Sequence, residues 1–412
     1  MQRVLTFQMA RGFGESSEFV TKRMCFSFLF SVGFLCLLCG FLLGRFASQR
    51  AIEFRAEKKR LELAGNGLES TEYIRQLLLG ELRKSFKTLK LDPSGSPEDV
   101  KNDLAKLSVF GKIIDNKSCF LASIAGSRES DRYVILSVSG NSISIALRLA
   151  KILNKIYSNE EWSPRRTIIF CFNFGSADVC PNILPLHVRS KTVAYIYLDH
   201  YEGSRRVFTS GSDILQSIVL DIFKESPYFN QDGKTSYNIS KWFYSTDYPR
   251  LMLDVPHIVF SPDENITLED HNARTDPQII ADIIMQTLWR LSESLILQWN
   301  PNHFNQTLNI ILEPLDSRFQ IIKEIKDVVT DLVKQVRILN MKMKSIESTR
   351  SLQLRIWNDL LMDLDKILLC PNDSMKSKTD LTILRNANST NIAAYLQEML
   401  HCYQGAMVFL QS

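Results

Sequence analysis

Short apolar runs alternate with segments of helical spacing between residues 111 and 300, and this pattern predicts an α/β domain. The apolar runs are YVILSVSG, RRTIIFCFNF, TVAYIYLDH and VPHIVFSP. The segments of helical spacing are ISIALRLAKILNKIY, ILQSIVLDIFK and PQIIADIIMQTLWRL. Such alternation is typical of βαβ units, so we expect a mixed, mainly parallel sheet with flanking helices. Ligands of these sheets bind at the carboxyl ends of the strands, where we therefore look for a site.

Two helices are predicted within residues 45–110. The rest of this region is predicted to be a charged stalk. The first, within residues 70–90, has apolar residues at helical spacing and should pack against the globular body. These residues are Ile74, Leu77, Leu78 and Leu82. The second should begin with Ser96 as its N-cap, Pro97 at its first position and Asp99 at its third.

The region from residue 305 to 412 is predicted to be helical throughout. One seam of apolar residues follows alternating steps of three and four. Its members are Ile322, Ile325, Val329, Leu332, Val336, Leu339, Met343 and Ile346. Two more amphipathic helices are predicted, at residues 354–369 and 391–410. The pattern leaves two interpretations open, a bundle within one chain or a dimerisation domain in which the seam meets a second copy.

Residues 24–44 form an uncharged stretch of 21 residues, which is long enough to span a bilayer. We predict a transmembrane signal anchor here, preceded by a cytoplasmic tail at residues 1–23. A cleaved signal peptide is the alternative, because small residues follow the apolar run at Ala47 and Ser48. Both the leader and the apolar run are long for a cleaved peptide, so the anchor is favoured.

Two signals disagree about the side of the membrane on which the C-terminal part lies. More Lys and Arg residues follow the anchor than precede it, which favours the cytosol by the positive-inside rule. Six N-x-[ST] sequons after the anchor favour the lumen or the cell exterior, where they could be glycosylated. The sequons are at Asn116, Asn238, Asn265, Asn305, Asn372 and Asn388.

Composition and cysteine usage narrow the function classes. The formal net charge is +4, with 49 basic and 45 acidic residues and no basic block, so no nucleic-acid partner is expected. Outside the apolar stretch the cysteines are Cys119, Cys171, Cys180, Cys370 and Cys402. They are odd in number and lack C-x-x-C spacing, so we expect no zinc held by cysteine. Cys171 lies in an apolar run and is predicted to be a buried thiol, while Cys370 and Cys402 could pair.

The order of these parts resembles the glutamate carboxypeptidase II and transferrin receptor family. Matching segments are DRYVILSV, W-x-P-R-R-T-I-I-F, VAYIYLD and DYPRLMLDVPHIVF. The resemblance covers most of residues 83–412 and implies a zinc-exopeptidase-like α/β domain at residues 111–300. It further implies a transferrin-receptor-like helical dimerisation domain at residues 305–412. Within the family, RKSFKTL, RTIIFCFNFG and LRIWNDLLMDLDK are most similar to a member regarded as catalytically inactive. Family members also place the C-terminal part outside the cell.

An active member would hold two zinc ions with His and carboxylate ligands and would use a Glu as general base. The first His and the bridging Asp should follow the strand ending at Val138, but Ser-Gly-Asn-Ser stands there. The expected Glu-Glu pair falls on Ser176 and Ala177. Only Asp199 and His271 match ligand positions, and each is as readily a structural or surface residue.

The sequence departs from the family pattern in a second way, because it is too short at one point to contain the family's large inserted apical domain. Residues 119–131 allow only a hairpin before the strand that begins near Tyr133. Evolutionary loss or splicing could each explain this, and a spliced product could be retained in the secretory pathway.

The sequence therefore predicts a catalytically inactive, single-pass type II membrane glycoprotein. We expect it to act as a homodimer at the plasma membrane or in the secretory pathway, by binding an unidentified extracellular protein. No catalytic residue, metal or other cofactor is expected. The alternative is a divergent zinc-dependent exopeptidase that uses Asp178, Asp199 and His271.

Overall fold

A computed structural model of the chain describes twelve segments, and its two compact units, residues 1–59 and 60–412, are treated separately. The described segments are residues 16–63, 69–86, 96–110, 113–116, 119–175, 180–200, 207–225, 255–262, 277–315, 319–344, 351–369 and 389–411.

The first unit contains most of one long helix, α1 (Ser16–Leu63), which continues the apolar stretch in both directions. Its section Phe26–Arg50 has a mean hydropathy of 2.4 and is long and apolar enough to cross a membrane. Large side chains such as Phe26, Phe30 and Leu37 are exposed, as expected of a surface that faces lipid rather than water. The predicted apolar anchor at residues 24–44 lies almost entirely inside this section.

Seven strands of the second unit, counted over the described residues, form one mixed sheet in the order β1-β2-β4-β3-β5-β7-β6. The strands are β1 (Ile113–Asn116), β2 (Cys119–Ile124), β3 (Glu129–Ser139), β4 (Arg166–Asn173), β5 (Thr192–Leu198), β6 (Val207–Gly211) and β7 (His257–Pro262). The four central strands, β4, β3, β5 and β7, are parallel, whereas β1, β2 and β6 pair antiparallel at the two edges. This arrangement confirms the predicted mixed, mainly parallel sheet.

The helices are α2 (Glu69–Phe86), α3 (Pro97–Ala105), α4 (Ser142–Glu160), α5 (Cys180–Ile183), α6 (Leu186–Ser190), α7 (Asp213–Glu225), α8 (Pro277–Glu293), α9 (Pro301–Leu312), α10 (Ile321–Lys344), α11 (Ser351–Leu368) and α12 (Ser389–Gln411).

Helices cover both faces of the sheet, so its central strands are apolar throughout. Every residue of β4 and β5 is buried, which explains their near-continuous runs of apolar residues. On one face α2, α4 and α8 pack together over a large core that includes Leu136 and Phe170. On the other face a smaller core includes Ile135 and residues of the short helices α5 and α6.

The N-terminal helices follow the sequence pattern. Ile74, Leu78 and Leu82 of α2 are buried, as their helical spacing predicts. Ser96 caps α3, because its hydroxyl accepts a hydrogen bond from the backbone of Asp99 and the Asp99 carboxylate accepts one from the backbone of Ser96. This is the capping-box arrangement.

The C-terminal helices bundle within the chain, and α10 packs chiefly against α12 and also against α9. Seven of the eight seam residues are buried by this packing, from Ile322 at 0% exposed to Leu339 at 9%. The eighth, Ile346, lies outside the described residues. In this single chain α12 covers the apolar face of α10, as the first of the two interpretations left open by the sequence expects.

Candidate functional site

The carboxyl ends of β3 and β5 form the place where a sheet of this kind would hold a ligand. After β3 the chain passes through α4 on one face to reach β4, and after β4 it passes through α5 and α6 on the opposite face to reach β5. Because β3 and β5 are neighbours, this change of direction marks the place, called the crevice below, where sheets of this kind bind ligands. Ser139 ends β3 and Asp199 directly follows β5.

The Asp199 carboxylate is held in a group of hydrogen bonds at this crevice. Its Oδ1 atom accepts a bond from the Ser139 hydroxyl at 3.2 Å and one from the Tyr197 hydroxyl at 3.2 Å. The backbone N–H of His200 donates to the same oxygen at 2.8 Å. The two hydroxyls are also 3.1 Å apart, so each is within hydrogen-bond reach of the other.

The turn after β3 packs directly on His200. Gly140 has a left-handed φ of +55°, and a Cβ atom added there would lie 1.9 Å from His200 Nδ1. The backbone N–H of Asn141 donates to that nitrogen at 3.2 Å, so a neutral His200 carries its proton on Nε2. The Ser142 hydroxyl donates to the carbonyl of Asp199 at 2.5 Å, which ties α4 to the end of β5.

Only some of the residues singled out in the sequence lie within the described part of the chain. Asp199 stands at the strand end where it is predicted, facing the Ser-Gly-Asn-Ser turn. Ser176, Ala177, Asp178 and His271 all lie outside the described residues. Sequence reasoning pointed to the strand ends that contain Ser139 and His200 but assigned no role to them or to Tyr197. The sequence of one strand does not reveal which side chains it meets on a neighbouring strand.

Two glycosylation candidates can be located. Asn116 ends β1, and Asn305 is half-buried on α9, where its side-chain oxygen accepts a bond from Asn309. The remaining four sequons, Asn238, Asn265, Asn372 and Asn388, fall outside the described residues.

The described part of this crevice offers few side chains of the kind that binds zinc. The turn after β3 offers no His or carboxylate, and Asp199 Oδ1 is engaged by two hydroxyls and a backbone N–H. Within the described residues, one group of His, Cys, Asp or Glu side chains is close enough to share an ion, namely Cys119, Cys171 and Cys180. That group lies in the smaller core and contains neither of the predicted ligand positions.

The prediction that Cys171 is a buried thiol is wrong. Cys171 is buried but forms a disulfide with Cys180, with their Cα atoms 6.4 Å apart. The error arises because pairing depends on where the chain returns after β4, and the apolar surroundings of Cys171 do not reveal it.

The opposite, amino-terminal edge of the sheet holds a buried cluster of charges. Glu129 bridges Arg165 at 2.7 Å and Arg166 at 2.8 Å, and Arg166 is fully buried. Glu293 accepts a bond from the backbone N–H of Arg165 at 3.1 Å, and burial raises the pKa of Glu293 to about 7. These groups tie β3, β4 and α8 together at the end of the sheet away from the crevice, so we assign them a structural role.

Two curated proteins are similar to this chain in sequence, although no family model matches it. The Rattus norvegicus aminopeptidase NAALADL1 is 23% identical over 361 residues, which cover 70% of this chain and 48% of that protein. Transferrin receptor protein 1 of Gallus gallus is 28% identical over 154 residues, covering 33% of this chain and 18% of that protein. Both similarities support a relationship with the glutamate carboxypeptidase and transferrin receptor-like family.

The chain spans about half the length, or less, of these two relatives. Solved structures similar to it include an aminopeptidase from Aneurinibacillus sp. strain AM-1, with a TM-score of 0.32 and 11% identity, covering 44% of this chain and 50% of that one. Another is a zinc-dependent exopeptidase described as putative, from Bacteroides vulgatus, with a TM-score of 0.31 and 15% identity. The match covers 53% of this chain and 95% of that structure.

One feature of the described chain bears on the apical insertion. Residues 125–128 alone connect β2 to β3, so this connection contains no inserted domain.

Proposed function

We propose that this chain is a non-catalytic membrane glycoprotein of that family, which acts by binding another protein. The observation that carries the proposal is the hydrogen bonding of Asp199, the residue that matches a metal ligand of the family. Ser139 and Tyr197 direct their hydroxyls at its carboxylate, so protein groups stabilise the charge that a metal would otherwise neutralise.

The absence of ligands from the turn after β3 supports the same proposal. Peptide hydrolysis by this family requires a metal to lower the pKa of a bound water and a carboxylate to accept its proton. The turn instead supplies a backbone N–H to His200 and a hydroxyl to the carbonyl of Asp199. It contributes to holding two strand ends together and offers no side chain that binds zinc.

Three features favour a type II topology with the C-terminal part in the lumen or outside the cell. The apolar section of α1 could serve as the anchor. The Cys171–Cys180 disulfide is typical of proteins that fold in an oxidising compartment. The sequons would then face the enzymes that glycosylate them.

The test is the metal content of the full chain purified in detergent. Inductively coupled plasma analysis and native mass spectrometry should find far less than one zinc per chain, and hydrolysis of dipeptide and acidic-peptide substrates should be unaffected by a chelator. Asp199→Asn is the matched variant, because it keeps the size of the side chain and removes its charge.

Zinc that survives dialysis and is lost in Asp199→Asn would contradict the proposal. Chelator-sensitive hydrolysis would do the same, and either result would favour the divergent exopeptidase that uses Asp178, Asp199 and His271.

A further inference from the structure

Three cysteines meet in the smaller core of the α/β domain. Cys119 is 1% exposed, and Cys171 and Cys180 are each 0% exposed. The three sulfur atoms all lie within 4.8 Å of one another, among apolar side chains that include Leu121 and Leu184. A disulfide and a third sulfur therefore share one enclosed space.

The three cysteines stand on different elements. Cys171 is in β4 near the middle of the sheet, and Cys119 is the first residue of its neighbour β2. Cys180 is the first residue of α5, which follows β4 in the chain. The disulfide joins Cys171 to Cys180, and Cys119 takes no part in it.

We propose that these residues form a thiol–disulfide exchange site in which the bridge passes between Cys171–Cys180 and Cys119–Cys180. The Cys119 thiolate attacks Sγ of Cys180, so a Cys119–Cys180 bond forms as the Cys171–Cys180 bond breaks. The electron pair leaves on Cys171, which takes up the proton that Cys119 released. One disulfide and one thiol are present before and after, so the step needs no external oxidant or reductant.

The sheet register explains why Cys180 is the shared partner. In the antiparallel pair of β2 and β4, Cys119 lies opposite Asn173 and Cys171 lies opposite Leu121. Cys119 and Cys171 are thus diagonal neighbours, whose Cα atoms are typically about 7–8 Å apart. That separation exceeds the usual range of a disulfide, and hydrogen bonding to neighbouring strands restrains both residues. Cys180 begins a helix outside the sheet, and its sulfur atom lies within 4.8 Å of the sulfur atoms on both strands.

The exchange would change which strand holds the start of α5. In one form the bridge closes the nine-residue step from Cys171 to Cys180 onto β4. In the other form the Cys119–Cys180 bond ties α5 to β2, and no disulfide links α5 to β4. The site would therefore select which strand, β4 or β2, holds the start of α5.

The experiment maps the disulfides of the full chain in detergent without reduction. The protein is quenched in acid, unfolded, and its thiols are blocked with N-ethylmaleimide before trypsin cleavage. Trypsin leaves Cys119 in residues 118–128, whereas Cys171 and Cys180 share residues 167–189. Only an exchanged bridge can join these two peptides, and a second cleavage before Asp178 shows which cysteine is bonded.

We expect the wild-type chain to contain the joined peptides with Cys180 as the bonded residue, beside a larger amount of the Cys171–Cys180 form. Cys171→Ser should form the Cys119–Cys180 bridge almost completely, whereas Cys180→Ser should leave Cys119 and Cys171 both blocked as thiols. Cys119→Ser is the matched control and should show only the Cys171–Cys180 form.

The proposal is overturned if the wild-type chain yields no joined peptides, whether or not the variants fold. A Cys119–Cys171 bridge in Cys180→Ser would contradict the argument from strand register. Zinc or copper that copurifies with reduced Cys119, Cys171 and Cys180 would instead identify the cluster as a metal site.

Discussion

At the end of β5, the side chain of Tyr197 shows how a single hydroxyl stabilises the strand ends. It is buried and reaches both Asp199 and Ser139. Tyr197→Phe removes these bonds with little change in shape, so the free energy of unfolding should fall by about 1 kcal/mol. Urea unfolding of the detergent-solubilised chain measures this. Tyr157→Phe, at a half-exposed position on α4, is the control and should leave stability unchanged.

Gly140 is a second residue on which the crevice depends. A side chain there would need a left-handed backbone and would collide with His200. Gly140→Ala should therefore lower the free energy of unfolding by more than about 1–2 kcal/mol, the cost of the backbone conformation alone. Adding His200→Ala should recover the part due to the collision and leave the backbone part. If Gly140→Ala and the double variant had equal free energies of unfolding, the collision with His200 would contribute nothing to the loss of stability.

Glu293 should make stability depend on pH. Burial raises its pKa to about 7 from an ordinary value of 4.5, so the folded state binds the proton more tightly than the unfolded state does. Its contribution to stability is therefore fully present below the unfolded pKa and is lost as the pH rises through the folded pKa near 7.

Glu293→Gln removes this titration and should flatten the decline in stability over the same range, by up to about 3 kcal/mol. Thermal unfolding at a series of pH values checks the prediction. Glu160→Gln, an exposed carboxyl at the end of α4, is the control. Parallel profiles for wild type and Glu293→Gln would mean that another group governs the dependence.

At the scale of the element, α10 is stabilised by α12 and α9 of its own chain. Leu332 is 0% exposed on the face of α10 that belongs to the single-chain bundle. Leu332→Ala should cost about 2–5 kcal/mol through the cavity that it creates, and Leu332→Asp should prevent folding rather than yield a stable monomer. Asp331→Ala changes the neighbouring exposed position and should shift the melting temperature little. A folded, monomeric Leu332→Asp variant would indicate that the seam contacts a second copy of the chain.

Elements whose residues carry a local signal could be predicted from the sequence, and contacts between distant elements could not. The apolar runs of β3, β4 and β5 and the N-cap at Ser96 are confirmed because each depends on residues close together in the chain. The apolar spacing of α10 does not show what packs against it, because either α12 or a helix of a second chain could pack on the same residues. The Cys171–Cys180 bridge and the bonds to Asp199 were missed for the related reason that they join separate elements.

At the scale of the whole molecule, the anchor and the sequons make one joint prediction. The full chain expressed in mammalian cells should resist alkaline carbonate extraction and should run faster on gels after treatment with an N-glycosidase. Removing all six sequon asparagines by Asn→Gln substitution should abolish that shift. A chain that stays in the membrane but never carries glycans would place the C-terminal part in the cytosol, as the basic residues after the anchor would favour.

The packing of α2 has a consequence for release of the body from a membrane. Leu78 and Leu82 of α2 are buried against the large core, and the helix is further tied to α4 by a bond from Arg148 to the Ser85 carbonyl. On the proposed topology, a protease that cut before Glu69 would release the body with its described core complete. A cut after Phe86 would separate α2 from the body and expose the apolar surface beneath it to water, so any shed form that persists in solution should begin upstream of Glu69.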